Sequence, residues 1–223
     1  MIIFLSPALF AQSVEIGFKG GSTFSTVQFE PKIDQDPMLK YHGGFGIRFL
    51  NAKKVGIQFE ANYAQRGFRQ NIDSINYTGR DYTYLELPFM SHIQIGKSKT
   101  KYYIHMGSHI AYALNAQVSK MDDGVKSSEP YPLLPNRDNR WDYGLAFGFG
   151  VGYDLGPGKL QAEGRYMYSF GNIQQSLLVT RISHPRNMQF SLGYFVGLND
   201  LFKQQNKTKR KDKPSEEETE SNE

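Results

Sequence analysis

The stretch Trp141 to Tyr153 constrains this chain more than any other. Trp141, Tyr143, Leu145, Phe147, Phe149, Val151 and Tyr153 alternate there with Asp142, Gly144, Ala146, Gly148, Gly150 and Gly152. In an extended strand, successive side chains point to opposite faces. One face is therefore large and apolar while the other is almost bare. The same division recurs at 14–24 (Val14, Ile16, Phe18 against Glu15, Gly17, Lys19, Gly21) and at 41–50 (Tyr41, Phe45, Ile47, Phe49 against His42, Gly44, Gly46, Arg48). It recurs again at 55–65 (Val55, Ile57, Phe59, Ala61, Tyr63 against Gln58, Glu60, Asn62) and at 158–170 (Leu160, Ala162, Tyr166, Tyr168, Phe170 against Gln161, Glu163, Arg165). Segments 82–95, 102–115 and 187–198 complete a set of eight, and no stretch sustains a helical period.

Alternation alone leaves open which face is inside, because a soluble ligand-binding barrel turns its apolar row inward. Volume decides. The interior of an eight-stranded barrel is only just wide enough to be filled by side chains, so roughly 30 large apolar residues cannot all point into it. Turned outward they form an apolar belt, and Gly, Ala and paired charges fill the middle. Such a surface requires lipid as its solvent. The expectation is an all-β fold: an eight-stranded antiparallel up-and-down transmembrane β-barrel.

Aromatic residues collect near the strand ends, at Tyr41, Tyr63, Tyr82, Tyr84, Tyr102, Tyr112, Trp141, Tyr143, Tyr153 and Tyr168. There a ring buries its body and wets its polar group, so these residues are read as girdles. Short links fall at 51–54, 96–100 and 155–158, where Gly and Pro supply turn geometry. Long links fall at 25–40, 66–81, 116–140 and 171–186. Outer-membrane barrels alternate short periplasmic turns with longer external loops, which predicts both termini on the periplasmic side.

Composition narrows the chemistry. The 223 residues fit one domain, and 26 Lys+Arg against 22 Asp+Glu is too even a balance to suggest a nucleic-acid partner. With no Cys, disulfides, thiolate metal sites and cysteine nucleophiles are excluded. Residues 2–11 form an apolar run of signal-peptide size, with cleavage expected after Ala11 and an initiator upstream. The barrel is expected over 12–199. Beyond Asp200 a basic block and then an acidic block, 203–214 and 215–223, offer almost nothing to bury, so 200–223 reads as a disordered, charged periplasmic tail.

Inward parity gathers Glu15, Lys19, Arg48, Glu60, Glu86, Asp142, Glu163 and Arg165, with His42, His105 and His109. Unpaired ionised groups in a narrow lumen cost several kcal/mol each, so Arg48 and Arg165 are expected to bridge Glu60, Glu86 or Glu163. Four residues along a strand separate His105 from His109 by about 13 Å, too far for one metal ion. No metal, cofactor or catalytic set is assigned.

The runs Gly17-Phe-Lys-Gly-Gly-Ser-Thr-Phe-Ser25, Tyr84-Leu-Glu-Leu-Pro88, Asp142 to Tyr153, Glu163-Gly-Arg-Tyr166 and Gly171-Asn-Ile173 resemble the PorT-like outer-membrane β-barrel family of Bacteroidota. The similarity covers roughly Val14 to Gly197. It implies an eight-stranded barrel made with a signal peptide, in a family whose founding member serves type IX secretion and gliding. Asp73-Ser-Ile75 resembles the tripeptide used for O-glycosylation in Bacteroidota, which makes Ser74 a candidate acceptor. The expected function is non-enzymatic: a closed barrel in contact with outer-membrane lipid, meeting an envelope protein through loop 116–140 or the tail. Two alternatives stay open, a component of the type IX secretion and gliding machinery and a lipid-modifying enzyme.

Overall fold

The computed structural model describes residues 13–30, 35–51, 54–71, 76–96, 98–122, 125–134, 138–171 and 182–198. The expected signal segment 2–11, the expected tail 200–223, Ser74 and most of the last long link lie outside the described residues.

Ten strands run in order: β1 (Ser13–Glu30), β2 (Gln35–Asp36), β3 (Met38–Asn51), β4 (Val55–Asn71), β5 (Tyr77–Ile95), β6 (Thr100–Asp122), β7 (Val125–Tyr131), β8 (Trp141–Leu155), β9 (Gly158–Ser169) and β10 (Ile182–Gly197). Eight of them close a ring in the order β1, β3, β4, β5, β6, β8, β9, β10, and β10 pairs antiparallel with β1 to seal it. Closure removes every sheet edge at membrane depth, which a backbone in hydrocarbon demands. Glu15 stands opposite both Gly197 and Arg48, so both ends of the ring strands lie at the end of the short turns. At the turn between β8 and β9, Gly156 has φ +60°, which a two-residue hairpin of the primed class requires.

The wall is longer than the apolar alternation implies. Strand β1 continues to Glu30 along β10, and β4 continues to Asn71 along β5. The expected long link 116–140 begins as β6, turns, and returns as β7, pairing Ala116 with Tyr131. Links 25–40 and 66–81 are likewise mostly strand, with β2 adding a short rung to β4. Apolar alternation stops where lipid stops, but backbone pairing continues into water, where both faces of a strand are free to be polar.

Orientation follows the volume argument. Phe18, Phe45 and Leu192 are 67%, 67% and 63% exposed, whereas Arg48, Glu86 and His105 are 0% exposed. Large hydrocarbon groups face outward and charges face inward, the reverse of a water-soluble protein. The Tyr103 ring lies across Gly150, its partner on β8, where a Cβ would overlap it.

Candidate functional site

The interior side chains form three connected layers. Nearest the turns, Arg48 on β3 donates from Nη1 to Glu15 on β1 at 3.0 Å, from Nε to Gln58 on β4 at 2.7 Å and from Nη2 to Gln161 on β9 at 3.0 Å. Its guanidinium also covers the ring of inward-facing Phe195 at 4.5 Å. Lys159 adds a second cation to Glu15, at 2.6 Å. One residue thus ties strands from opposite sides of the barrel.

In the middle layer Arg165 forks onto both oxygens of Glu60, at 2.9 and 2.8 Å, and donates to Glu163 at 2.8 Å. Lys19 lies 2.8 Å from Glu60 and 3.7 Å from Glu163. Two cations face two carboxylates, so this layer is neutral as a set. Gln58 and Asn62 donate to the remaining lone pairs of Glu60. His105 Nδ1 lies 3.1 Å from Glu163, and its Nε2 lies 2.7 Å from Nδ1 of His92, the residue directly opposite it on β5.

Nearest the loops, Arg66 on β4 donates to Asp142 on β8 at 2.6 Å and to Glu86 on β5. Ser169 gives its hydroxyl proton to Asp142 at 2.9 Å, and Gln189 reaches Glu86 at 3.4 Å. His109 also addresses Asp142, at 3.7 Å. A serine, a histidine and an aspartate therefore meet, but Ser169 and His109 share the carboxylate instead of bonding to each other. A nucleophilic relay needs the base between the hydroxyl and the acid. Arg66 instead lies between the two carboxylates, Asp142 and Glu86. His42, in the same half, is held by Thr23 and Ser191, each at 2.9 Å.

All eight charges assigned to the lumen lie inside, although the pairing differs in part from expectation. Arg165 bridges Glu60 and Glu163 as expected, whereas Arg48 takes Glu15 and leaves Glu86 to Arg66. Sequence reasoning missed Arg66, because it fell in what read as a loop, and His92, because the inner row of segment 82–95 was not followed past Glu86. Parity carries both signals: Ala64 and Arg66 continue the inner row of Asn62, and His92 shares parity with Glu86. Among the described residues no group of three or more His, Asp or Glu side chains is placed to hold a metal ion.

The girdle residues Tyr41, Tyr63, Tyr102, Trp141, Tyr143 and Tyr153 point outward and are exposed. Tyr112 packs edge-on against Trp141 at 4.9 Å, and Tyr168 packs against Phe170 at 5.6 Å beneath Arg186. Tyr84 and Tyr82 do not belong to a girdle. They are 5% and 4% exposed and face inward, because they share parity with Glu86 on β5 while Leu85 and Leu87 occupy the outward positions.

Those two rings form a shelf across the loop end of the lumen, with Ala111, Ala113 and Ala116 beside them and Leu133 seated on top. The segment carrying Leu133 is strapped down by Asp138, which accepts from the Tyr131 hydroxyl and the Leu134 N–H, each at 3.0 Å. Arg140 donates to the Leu133 carbonyl at 3.1 Å. Replacing Asp138 by alanine removes two bonds to a buried acceptor, so about 2 kcal/mol of local stability is lost. The expected result is faster proteolysis of the folded chain in detergent between Tyr131 and Arg140 with the barrel transition unmoved; unchanged cleavage contradicts the strap.

Comparison with solved structures finds Neisserial surface protein A at 13% identity and TM-score 0.44, covering 82% of this chain and 96% of that one. The attachment invasion locus protein Ail of Yersinia pestis, in complex with the heparin analogue sucrose octasulfate, matches at 16% identity and TM-score 0.43, covering 82% of this chain and 99% of that one. OprG of Pseudomonas aeruginosa matches at 12% identity and TM-score 0.44, covering 83% and 97%. A comparison with curated proteins finds no match. Residues 10–175 match the family described as outer membrane protein beta-barrel domain. With its closed ring, outward apolar belt and charged interior, the chain belongs to that family and resides in the outer membrane.

Proposed function

We propose that this protein is a closed, non-enzymatic barrel that serves the outer membrane as a structural and interaction component and presents its external strands and loops to partners. The observation that carries this reading is the interior: three charge layers linked by Arg48, Arg165 and Arg66 cross the lumen under a shelf capped by Leu133. In the middle layer two cations match two carboxylates, so an ion entering there meets crossed, mutually paired side chains and no uncompensated charge. The short turns and both ends of the ring face the periplasm in this reading. The loop-end hairpin of β6 and β7 faces outward as the contact surface for an envelope protein.

The test is conductance of the refolded full chain in planar bilayers. Silence is expected at all voltages that the bilayer withstands, and steady channels of porin size would contradict the plug. Within the family, the PorT-like resemblance of Tyr84-Leu-Glu-Leu-Pro88 and of Asp142 to Tyr153 supports a Bacteroidota origin and keeps a role in type IX secretion as the second reading. Deletion that strands secretion cargo inside the cell favours that role. Altered lipid A masses on deletion favour a lipid-modifying enzyme instead.

A further inference from the structure

The two ends of the barrel differ in charge. At the loop end both signs mix: Lys40 pairs with Asp81 at 2.8 Å, and Asp36, Asp122, Glu129 and Asp138 stand among Arg69, Arg80, Lys120 and Arg186. At the turn end, positions 51–54, 96–101 and 154–159 hold six lysines (53, 54, 97, 99, 101 and 159) against the single acid Asp154. Four of these lysines are described, and two of those are already engaged, Lys101 with Asp154 at 2.9 Å and Lys159 with Glu15 at 2.6 Å. Lys54 and Lys99 are exposed and have no carboxylate at ion-pair distance among the described residues.

Backbone bonds knit these turns into one rim. Gln94 N–H donates to the Lys54 carbonyl at 2.6 Å, joining the turn after β3 to the turn after β5. Asp154 N–H donates to the Lys99 carbonyl at 2.9 Å, joining that turn to the one after β8. Directly beside the rim the outward surface is apolar and aromatic, with Val55, Ile95, Tyr102, Tyr153 and Leu155 between 46% and 63% exposed. Lysines on a backbone-bonded rim therefore stand at the edge of an apolar, outward-facing surface.

We propose that the turn end carries a binding site for the headgroup of an anionic phospholipid, with Lys54 and Lys99 holding the phosphate while Ile95, Tyr102 and Tyr153 bed the acyl chains. Charge complementarity and continuity with the lipid belt select this occupant: an anionic lipid is already in contact with the apolar side of the site and crosses no barrier to reach it. Assignment of the lipid to the inner leaflet rests on the periplasmic orientation of the turns proposed above.

The experiment is native mass spectrometry of the full chain released from nanodiscs holding phosphatidylcholine with phosphatidylglycerol, or with lipid A. Retention of phosphatidylglycerol over phosphatidylcholine is expected, and the double variant Lys54→Gln, Lys99→Gln should lose about tenfold or more of that preference. Lys120→Gln at the loop end should keep it, and salt should weaken it in the unsubstituted chain. Equal retention of the two phospholipids, a preference indifferent to the double variant, or retention of lipid A in place of phosphatidylglycerol overturns the proposal. Nanodiscs expose both leaflets alike, so orientation fails separately, if a tag at the C-terminus is cleaved by protease added to intact cells.

Discussion

Replacing Arg165 by glutamine is expected to cost the barrel about 3–5 kcal/mol and to stop most of it from reaching the compact, heat-modifiable form seen by electrophoresis. Arg165 is buried and donates to both Glu60 and Glu163, compensating their charge with Lys19 as the second cation. Without it two carboxylates face one ammonium among buried side chains, and the uncompensated charge, more than the lost bonds, carries the penalty. The control is the quadruple variant Lys19→Gln, Glu60→Gln, Glu163→Gln, Arg165→Gln, which removes the whole neutral set. It should recover most of the stability, because a charge network replaced entirely by neutral hydrogen-bonding groups leaves no ion unpaired. If the single variant folds like the original chain, the middle layer is not the closed ion network described here.

The second large effect belongs to the outer surface. Phe147 sits mid-strand on β8 and is 49% exposed, with Leu145 and Phe149 on the same outward row. An arginine at 147 meets hydrocarbon, for an expected loss of about 2–4 kcal/mol, whereas the same substitution at Tyr153, beside the turns, should cost about 0–1 kcal/mol. Denaturant unfolding of the three variants Phe147→Arg, Phe149→Arg and Tyr153→Arg in lipid vesicles should therefore trace membrane depth along one strand. A soluble protein with the same exposed surface would tolerate all three alike, since exposed arginines are well solvated. A flat profile would remove the lipid belt from the account.

Much of this was legible in the sequence because an eight-stranded barrel has so little interior. The alternation of Trp141 to Tyr153 against Asp142 to Gly152 leaves one workable orientation, and parity places Glu60, Glu163 and Arg165 on the inward face. Three things were hidden for distinct reasons. Arg66 lies where apolar alternation fades, and the continuation of β4 to Asn71 depends on pairing with β5 in water, a tertiary matter. Ring tilt sets which inward residues share a level, so Arg48 meets Glu15 and Gln161 while Glu86 falls to Arg66, and no spacing along one strand encodes that. The inward turn of Tyr82 and Tyr84 was overlooked because residue type outweighed parity: tyrosines near a strand end read as a girdle even though Leu85 had already claimed the lipid face.

The orientation of β8 carries the whole account, and the chain lends itself to a direct test because it contains no cysteine. Single cysteines placed at 145, 146, 147, 148 and 149, spin-labelled in vesicles, report collision with oxygen dissolved in the acyl region. Labels at 145, 147 and 149 should collide freely with oxygen, and those at 146 and 148 should be shielded from it, with a period of two. Free collision at 146 and 148 with shielding at 145, 147 and 149 would place the hydrocarbon row inside and contradict the barrel described here.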